Sequence, residues 1–261
     1  MASRSGVRNY RFSVNFYITP AIQWLIIANV AVYLLENILQ VFWGTTAYHL
    51  FQMYFGLVPS GVVPGLRIWQ PLTYLFLHDI RSIWHLLTNM FMLWMFGREL
   101  ELVWGRNRFL QYYFLTGIGA GLINVLVRAV PTLWGRAPYD IPTIGASGAI
   151  FGVLLACAIL FPDRQVYLFP IPIKITMRTL VMIMTALEFL GTFGLGGDDI
   201  SHVCHLGGML VGYIYLRRGS FLYNVRNSVS DWKMERNKKR FQVYMNKHQD
   251  EPPSDPDRWV N

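Results

Sequence analysis

Apolar residues in this chain fall into six long stretches separated by short polar segments: residues 21–35, 83–96, 109–127, 147–161, 175–195 and 202–216. Runs that are apolar on every side predict helices that face lipid or one another and not water. A full bilayer crossing takes about 20 apolar residues, so the fourth and sixth stretches predict short helices, with room for water above their ends. The pattern predicts an all-α polytopic membrane protein with six spans. It divides the chain into an N-terminal segment over 1–19, a membrane domain over 20–217 and a polar, basic tail over 218–261. The end of that tail, Gln249-Asp-Glu-Pro-Pro-Ser-Asp-Pro-Asp257, has the composition of a disordered segment.

Composition supports the pattern. The chain has 261 residues, of which 53% are hydrophobic and 15% charged, against about 25% charged in an ordinary soluble protein. Charge then supplies the orientation. With the N-terminus placed inside the cell, Arg67, Arg81, Arg128 and Arg136 fall outside and the other 19 of the 23 Lys and Arg fall inside. The excess predicts cytoplasmic termini at both ends and a cell inner (plasma) membrane location. Lys238-Lys239-Arg240 can touch anionic lipid. Nucleic-acid binding is excluded, because the basic residues flank spans and do not line one soluble face. Cys157 and Cys204 lie in different spans and read as free buried thiols. The first apolar run follows about twenty polar or mixed residues and precedes no small-residue site, so no cleavable signal peptide is expected.

Three polar clusters break the apolar stretches: His85-Leu-Leu-Thr-Asn89, Gly145-Ala-Ser147-Gly148 and His202-Val-Cys-His205-Leu-Gly-Gly208. An ionised group at membrane depth costs roughly 2.5–3.5 kcal/mol on insertion scales, so such groups are kept mostly for function. Spans 2, 4 and 6 all run from outside to inside. Each cluster lies near the N-terminal end of one of them, at a depth on the order of 5–10 Å. Topology alone therefore brings the three together.

Spacing supplies the faces. His85 and Asn89 stand at i and i+4 and share one. Ser147 and Phe151 do likewise, and His205, Gly208 and Gly212 follow i, i+3, i+7. Gly148 with Gly152, and Gly208 with Gly212, are small-xxx-small pairs that predict close packing of spans 4 and 6. That packing would bring His205 to Ser147, with Phe151 under the imidazole.

Serine, histidine and an amide are the parts of acyl-transfer chemistry. A lone intramembrane serine usually bonds a backbone carbonyl, and a lone histidine is more often structural. Their shared depth makes Ser147 a nucleophile and His205 its general base, with His202 as the rival base. Asn89, His85 and the Ser147 amide are candidate oxyanion donors; one such donor is worth about 2.7–4 kcal/mol in analogous hydrolases. No carboxylate stands out as a third member. Asp198 and Asp199 read as loop residues, and Glu188, inside span 5, reads as a structural hydrogen-bonding group. A Ser-His dyad suffices if packing holds the histidine. The segment between spans 1 and 2, with Trp43, Tyr48, Phe51, Tyr54, Phe55 and Trp69, reads as lying partly in the outer leaflet.

These residues resemble the rhomboid intramembrane serine proteases in their compact six-span form. The resemblance covers roughly residues 24–216 and rests on Trp69-Gln-Pro-Leu-Thr-Tyr-Leu-Phe-Leu-His78, Trp84-His85-Leu-Leu-Thr-Asn89, Gly145-Ala-Ser147-Gly148 and His205-Leu-Gly-Gly208. It implies a rhomboid-like bundle with a partly membrane-embedded first loop and span 5 as the mobile gate. It also implies Ser147 as nucleophile, His205 as base, and His85 and Asn89 in the oxyanion hole. Phe151 falls where the family sets an aromatic ring on the histidine, and Gly145, Gly148, Gly208 and Gly212 support the site. The implied substrates are single-span membrane proteins, and no metal or organic cofactor is implied. The family often has Trp-Arg in the first loop, where this chain has Trp69-Gln70. A catalytically silent member of the fold that binds membrane-protein clients is the alternative. A transporter would carry polar groups through the whole depth of the bundle, and here they cluster on the outer side. A lipid-directed serine hydrolase is compatible with the chemistry alone.

Overall fold

The computed structural model describes residues 17–135, 140–168, 173–193 and 202–217, with a few helical positions between 234 and 242. The N-terminal segment up to residue 16, Arg136, Asp198, Asp199 and nearly all of the tail lie outside the described residues.

The described chain is mostly helical. Its longer elements are α1 (Pro20–Phe55), α2 (Ile83–Met92), α3 (Arg98–Trp104), α4 (Arg106–Ala129), α5 (Ser147–Leu160), α6 (Met177–Gly191) and α7 (His202–Arg217). A π-helical turn, Leu93–Gly97, runs α2 into α3. By length and composition, α1 and the stretch Arg106–Trp134 can each cross a bilayer, and α5 is a shorter apolar helix. Large apolar side chains face outward along the bundle, among them Trp24, Phe42, Leu126, Leu187 and Ile214. In water they would form a sticky surface; in lipid they are solvated.

α5 is the central helix: every residue from Gly148 to Leu154 is buried. It packs against α4 and α7, and the core around it is closed by Tyr74, Phe109, Tyr112 and Tyr113, all fully buried. Close approach of α5 and α7 depends on missing side chains. A Cβ on Gly208 would fall on the Gly148 carbonyl oxygen. The close packing predicted between these helices is observed, through one glycine of each pair. Gly208 meets Gly148, but Gly152 packs on Thr116 and Gly212 on the Tyr112 hydroxyl, both of α4. The second glycine of each pair serves a three-helix contact because α4 crosses at that level.

Two elements differ from the apolar pattern. The first helix continues past residue 35 to Phe55, broken at Gly44, whose φ of 79° an L side chain rarely adopts. Glu36, which ended the apolar run, is fully buried and accepts a hydrogen bond from the His78 amide at 3.0 Å. The fifth helix begins at Met177, not at 175. Ile173–Thr176 instead pairs antiparallel with Gln165–Leu168 as β2 and β1. Its three β-branched residues favour a strand, and the Thr176 hydroxyl then caps α6 by accepting from the Thr179 amide at 3.2 Å.

The first loop is clasped from inside. Gln70, fully buried, accepts from the Val58 amide at 3.1 Å and donates to the carbonyls of Met53 and Tyr54 at 3.0 and 3.2 Å. Trp69 Nε1 donates to Tyr54 at 2.9 Å. The loop is then tied to the segment before α5 by reciprocal backbone bonds between Leu57 and Thr143.

Candidate active site

Ser147 is the first residue of α5, delivered by a tight approach. Gly145 has φ of 113° and its amide donates to the Tyr74 carbonyl at 2.9 Å. Tyr74 is itself anchored by its hydroxyl, which donates to the Gly117 carbonyl at 2.7 Å. Amides in the first turn of a helix lack intrahelical acceptors, so the Ser147 N–H is a natural donor to an anion.

Across from it, one turn into α7, His205 is buried. Its Nε2 stands 2.7 Å from Ser147 Oγ, and the Phe151 ring is stacked flat on the imidazole. His202, the rival base, makes its hydrogen bond to Glu188.

Gly145 lets the backbone before Ser147 approach α2 closely. A Cβ there would stand 2.9 Å from His85 Nε2 and 3.9 Å from Asn89 Nδ2. His85 Nδ1 accepts from the Asp79 amide at 3.4 Å, so a neutral His85 carries its proton on Nε2, facing Gly145. Asn89 donates one amide hydrogen to the His85 carbonyl at 2.8 Å and keeps a second. Asp79 is paired within its own loop with Arg81, two residues on, at 2.9 Å. Burial alone would raise the Asp79 carboxyl, but its hydrogen bonds from Arg81 outweigh that and hold it below the usual carboxylate range. The arrangement sets a serine hydroxyl against an imidazole nitrogen, with the N–H groups of His85, Asn89 and Ser147 close by.

A family model for the rhomboid domain matches residues 65–219, which hold all of these groups. The chain belongs to the rhomboid family. Among its relatives, this rhomboid is 32% identical over 135 residues to Rhomboid protein 1, mitochondrial, of Saccharomyces cerevisiae, covering 52% of this chain and 38% of that one. It is 27% identical over 139 residues to the human Presenilin-associated rhomboid-like protein, mitochondrial, covering 53% and 35%. It is 30% identical over 160 residues to Rhomboid protease GluP of Bacillus subtilis, covering 61% and 27%. The matched region thus spans well under half the length of each of these relatives. The family contains membrane proteins, some of them proteases.

Of the residues singled out from the sequence, Ser147, His205, Phe151, Gly145, His85 and Asn89 lie together here, Gly148 and Gly208 form the α5–α7 contact, and Gly212 packs on Tyr112 of α4. Glu188 is more central than its sequence context suggests. The apolar pattern offers His205 no carboxylate and gives Glu188 only a structural hydrogen bond. In the structure Glu188 Oε2 accepts from His205 Nδ1 at 2.8 Å and from His202 Nδ1 at 2.7 Å. The signal was available: span 5 runs outward, so Glu188 near its end reaches the same depth as the other three clusters. These three side chains bring ligand-type atoms within 4.8 Å of one another. The two contacts have hydrogen-bond lengths, shorter than the roughly 3.3 Å between neighbouring ligand atoms on a tetrahedral zinc. Cys157 and Cys204 are free and buried, as expected.

Proposed function

We propose that this rhomboid is a serine-type intramembrane endopeptidase that cuts peptide bonds in or next to the transmembrane segments of single-span membrane proteins. The observation that carries this reading is the 2.7 Å contact between Ser147 Oγ and His205 Nε2. The Ser147 proton passes to His205 Nε2 as Oγ attacks the scissile carbonyl carbon. The carbonyl oxygen takes the charge, and His85 Nε2, Asn89 Nδ2 and the Ser147 amide donate to it. His205 then returns the proton to the leaving amine, and water repeats the sequence on the acyl-enzyme. A stable helix hides its peptide bonds, so the substrate segment must unwind to be cut.

The accompanying topology is six spans in residues 20–217 with both termini cytoplasmic in a cell inner membrane. It draws on the charge sorting and on α2 with α3, α5, α6 and α7 as the spans beyond the two long apolar helices. Relatives named as mitochondrial favour a second placement, a mitochondrial membrane. Imaging of the tagged chain in its source cell separates the two.

The test compares the purified parent with Ser147→Ala and His205→Ala, using a serine-hydrolase activity probe and a single-span substrate. Labelling and cleavage by the parent, lost in both variants, are expected. Cleavage that survives in Ser147→Ala overturns the assignment. A folded parent that neither labels nor cleaves, yet holds the substrate, favours the client-binding alternative.

A further inference from the structure

Glu188 is a carboxylate on the most exposed of the described helices at the site. Its neighbours Leu187, Phe189 and Leu190 face outward, and α6 buries residues mainly near its start, at Met177, Leu180 and Val181. An acidic group there is costly unless it is paired. Its partners are two imidazoles one turn apart on α7, both bonded to the same oxygen, Oε2. The fit is built from both helices. A Cβ on Gly191, one turn after Glu188, would strike the His202 ring, so Gly191 makes the room that lets His202 reach the carboxylate.

The chemistry follows from donor and acceptor types. A carboxylate oxygen can only accept, so His205 Nδ1 carries a proton. A neutral His205 then has its lone pair on Nε2, toward Ser147 Oγ, as a base requires. The other titratable groups around His205 are His202 on its own helix, His85 on α2 and Cys204, whose thiol faces Tyr74. Among the described residues no other carboxylate bonds to His205.

We propose that Glu188 is a positioning residue for the base, fixing the tautomer and orientation of His205 and stabilising its imidazolium, with His202 holding the carboxylate in place. The inference rests on the endopeptidase reading above. When Ser147 gives its proton to Nε2, His205 becomes positive with both nitrogens protonated. Glu188 stays ionised and offsets that charge; the proton leaves again from Nε2 to the amine. Glu188 touches no reacting atom.

The experiment measures kcat and KM against pH for the parent, Glu188→Gln and Glu188→Asp, with Ser147→Ala as the dead control. Glu188→Gln is expected to lower kcat about 100-fold, short of the ~10⁴ seen when a triad aspartate is amidated, because Phe151 still supports the ring. KM should stay within about twofold, since binding of the substrate is untouched. Glu188→Gln also removes the negative charge beside the base, so the acid limb of kcat/KM should move to lower pH. Glu188→Asp should restore part of kcat and return the limb toward its parental position. A merely structural role would move neither limb nor rescue. Parental kcat and pH profile in Glu188→Gln, with Ser147→Ala dead, overturn this proposal and leave the endopeptidase reading standing; cleavage by Ser147→Ala overturns that reading instead. Should Glu188→Gln fail to fold, the parent decides: a far-downfield His205 Nδ1 proton resonance, lost in His205→Asn, is expected, and its absence overturns the proposal.

Discussion

The Phe151 ring lies flat on the His205 imidazole, with centroids 4.3 Å apart and planes 12° from parallel. Both residues are buried, and Phe151 stands one turn after Ser147 on α5. One helix therefore delivers the serine and the surface that holds its base in plane. Phe151→Leu keeps most of the volume and removes the ring. An aromatic pair adds about 0.5–1.5 kcal/mol beyond its buried area, so kcat should fall roughly tenfold with a change in thermal stability of only a few degrees. Kinetics and melting of the same preparation check both; unchanged kcat would mean that packing elsewhere fixes His205.

Asn89 is proposed as an oxyanion donor from its place beside Gly145. Its Nδ2 donates to the His85 carbonyl at 2.8 Å, which fixes the amide and aims its second hydrogen. Asn89→Ala should cost about 10²–10³ in kcat, the range seen for one oxyanion donor elsewhere, with KM nearly unaltered. A rise in KM at constant kcat would instead make Asn89 a substrate-binding group.

Gly208 has no room for a side chain. Its Cβ would land on the Gly148 carbonyl oxygen, a backbone atom that cannot rotate away. Gly208→Ala must push α7 off α5 and widen the Ser147–His205 contact. Overpacking of this kind costs about 1–3 kcal/mol, so a lower melting temperature should accompany a loss of activity of at least tenfold. A Gly208→Ala protein with parental melting and activity would show that the helices can part without harm.

Much of this was legible in the sequence because a membrane simplifies the problem. Apolar runs mark helices, and parity of the spans fixes which ends meet. That is why α4, α5 and α7 began within a few residues of expectation and why Ser147, His205, His85 and Asn89 converge. What was not legible depended on specific partners. The polar residues of α1 looked like a helix end because nothing in the sequence says that Glu36 will meet the His78 amide. Ile173–Thr176 passed for the start of a span, since a short β-branched apolar run fits strand and helix alike. Glu188 looked isolated because its two partners lie across a helix boundary, on α7. Gln70 departs from the family's usual arginine, yet its amide still bonds loop carbonyls on one side and the Val58 amide on the other.

The end of the bundle away from Ser147 offers a test that leaves the chemistry alone. Glu101, in the middle of α3, is buried and accepts from the amides of Ala21 and Ile22 at 2.8 and 3.2 Å. Those amides belong to the first turn of α1, where N–H groups have no partner within the helix and the dipole favours negative charge. The cap thus comes from a residue 80 positions away and joins α1 to the π-turned second helix. Glu101→Ala leaves two buried donors unsatisfied and should cost about 1–2 kcal/mol, the range of a lost N-cap. For a domain of this size that corresponds to a melting temperature lower by about 3–6 °C. At temperatures well below the transition, cleavage by Glu101→Ala should match the parent, because the contact lies at the opposite end of the bundle from Ser147. Unaltered melting would mean that water satisfies these amides as well as the carboxylate does. Lost activity in a folded, cold sample would mean that the seat of α1 is communicated to the Ser147 site.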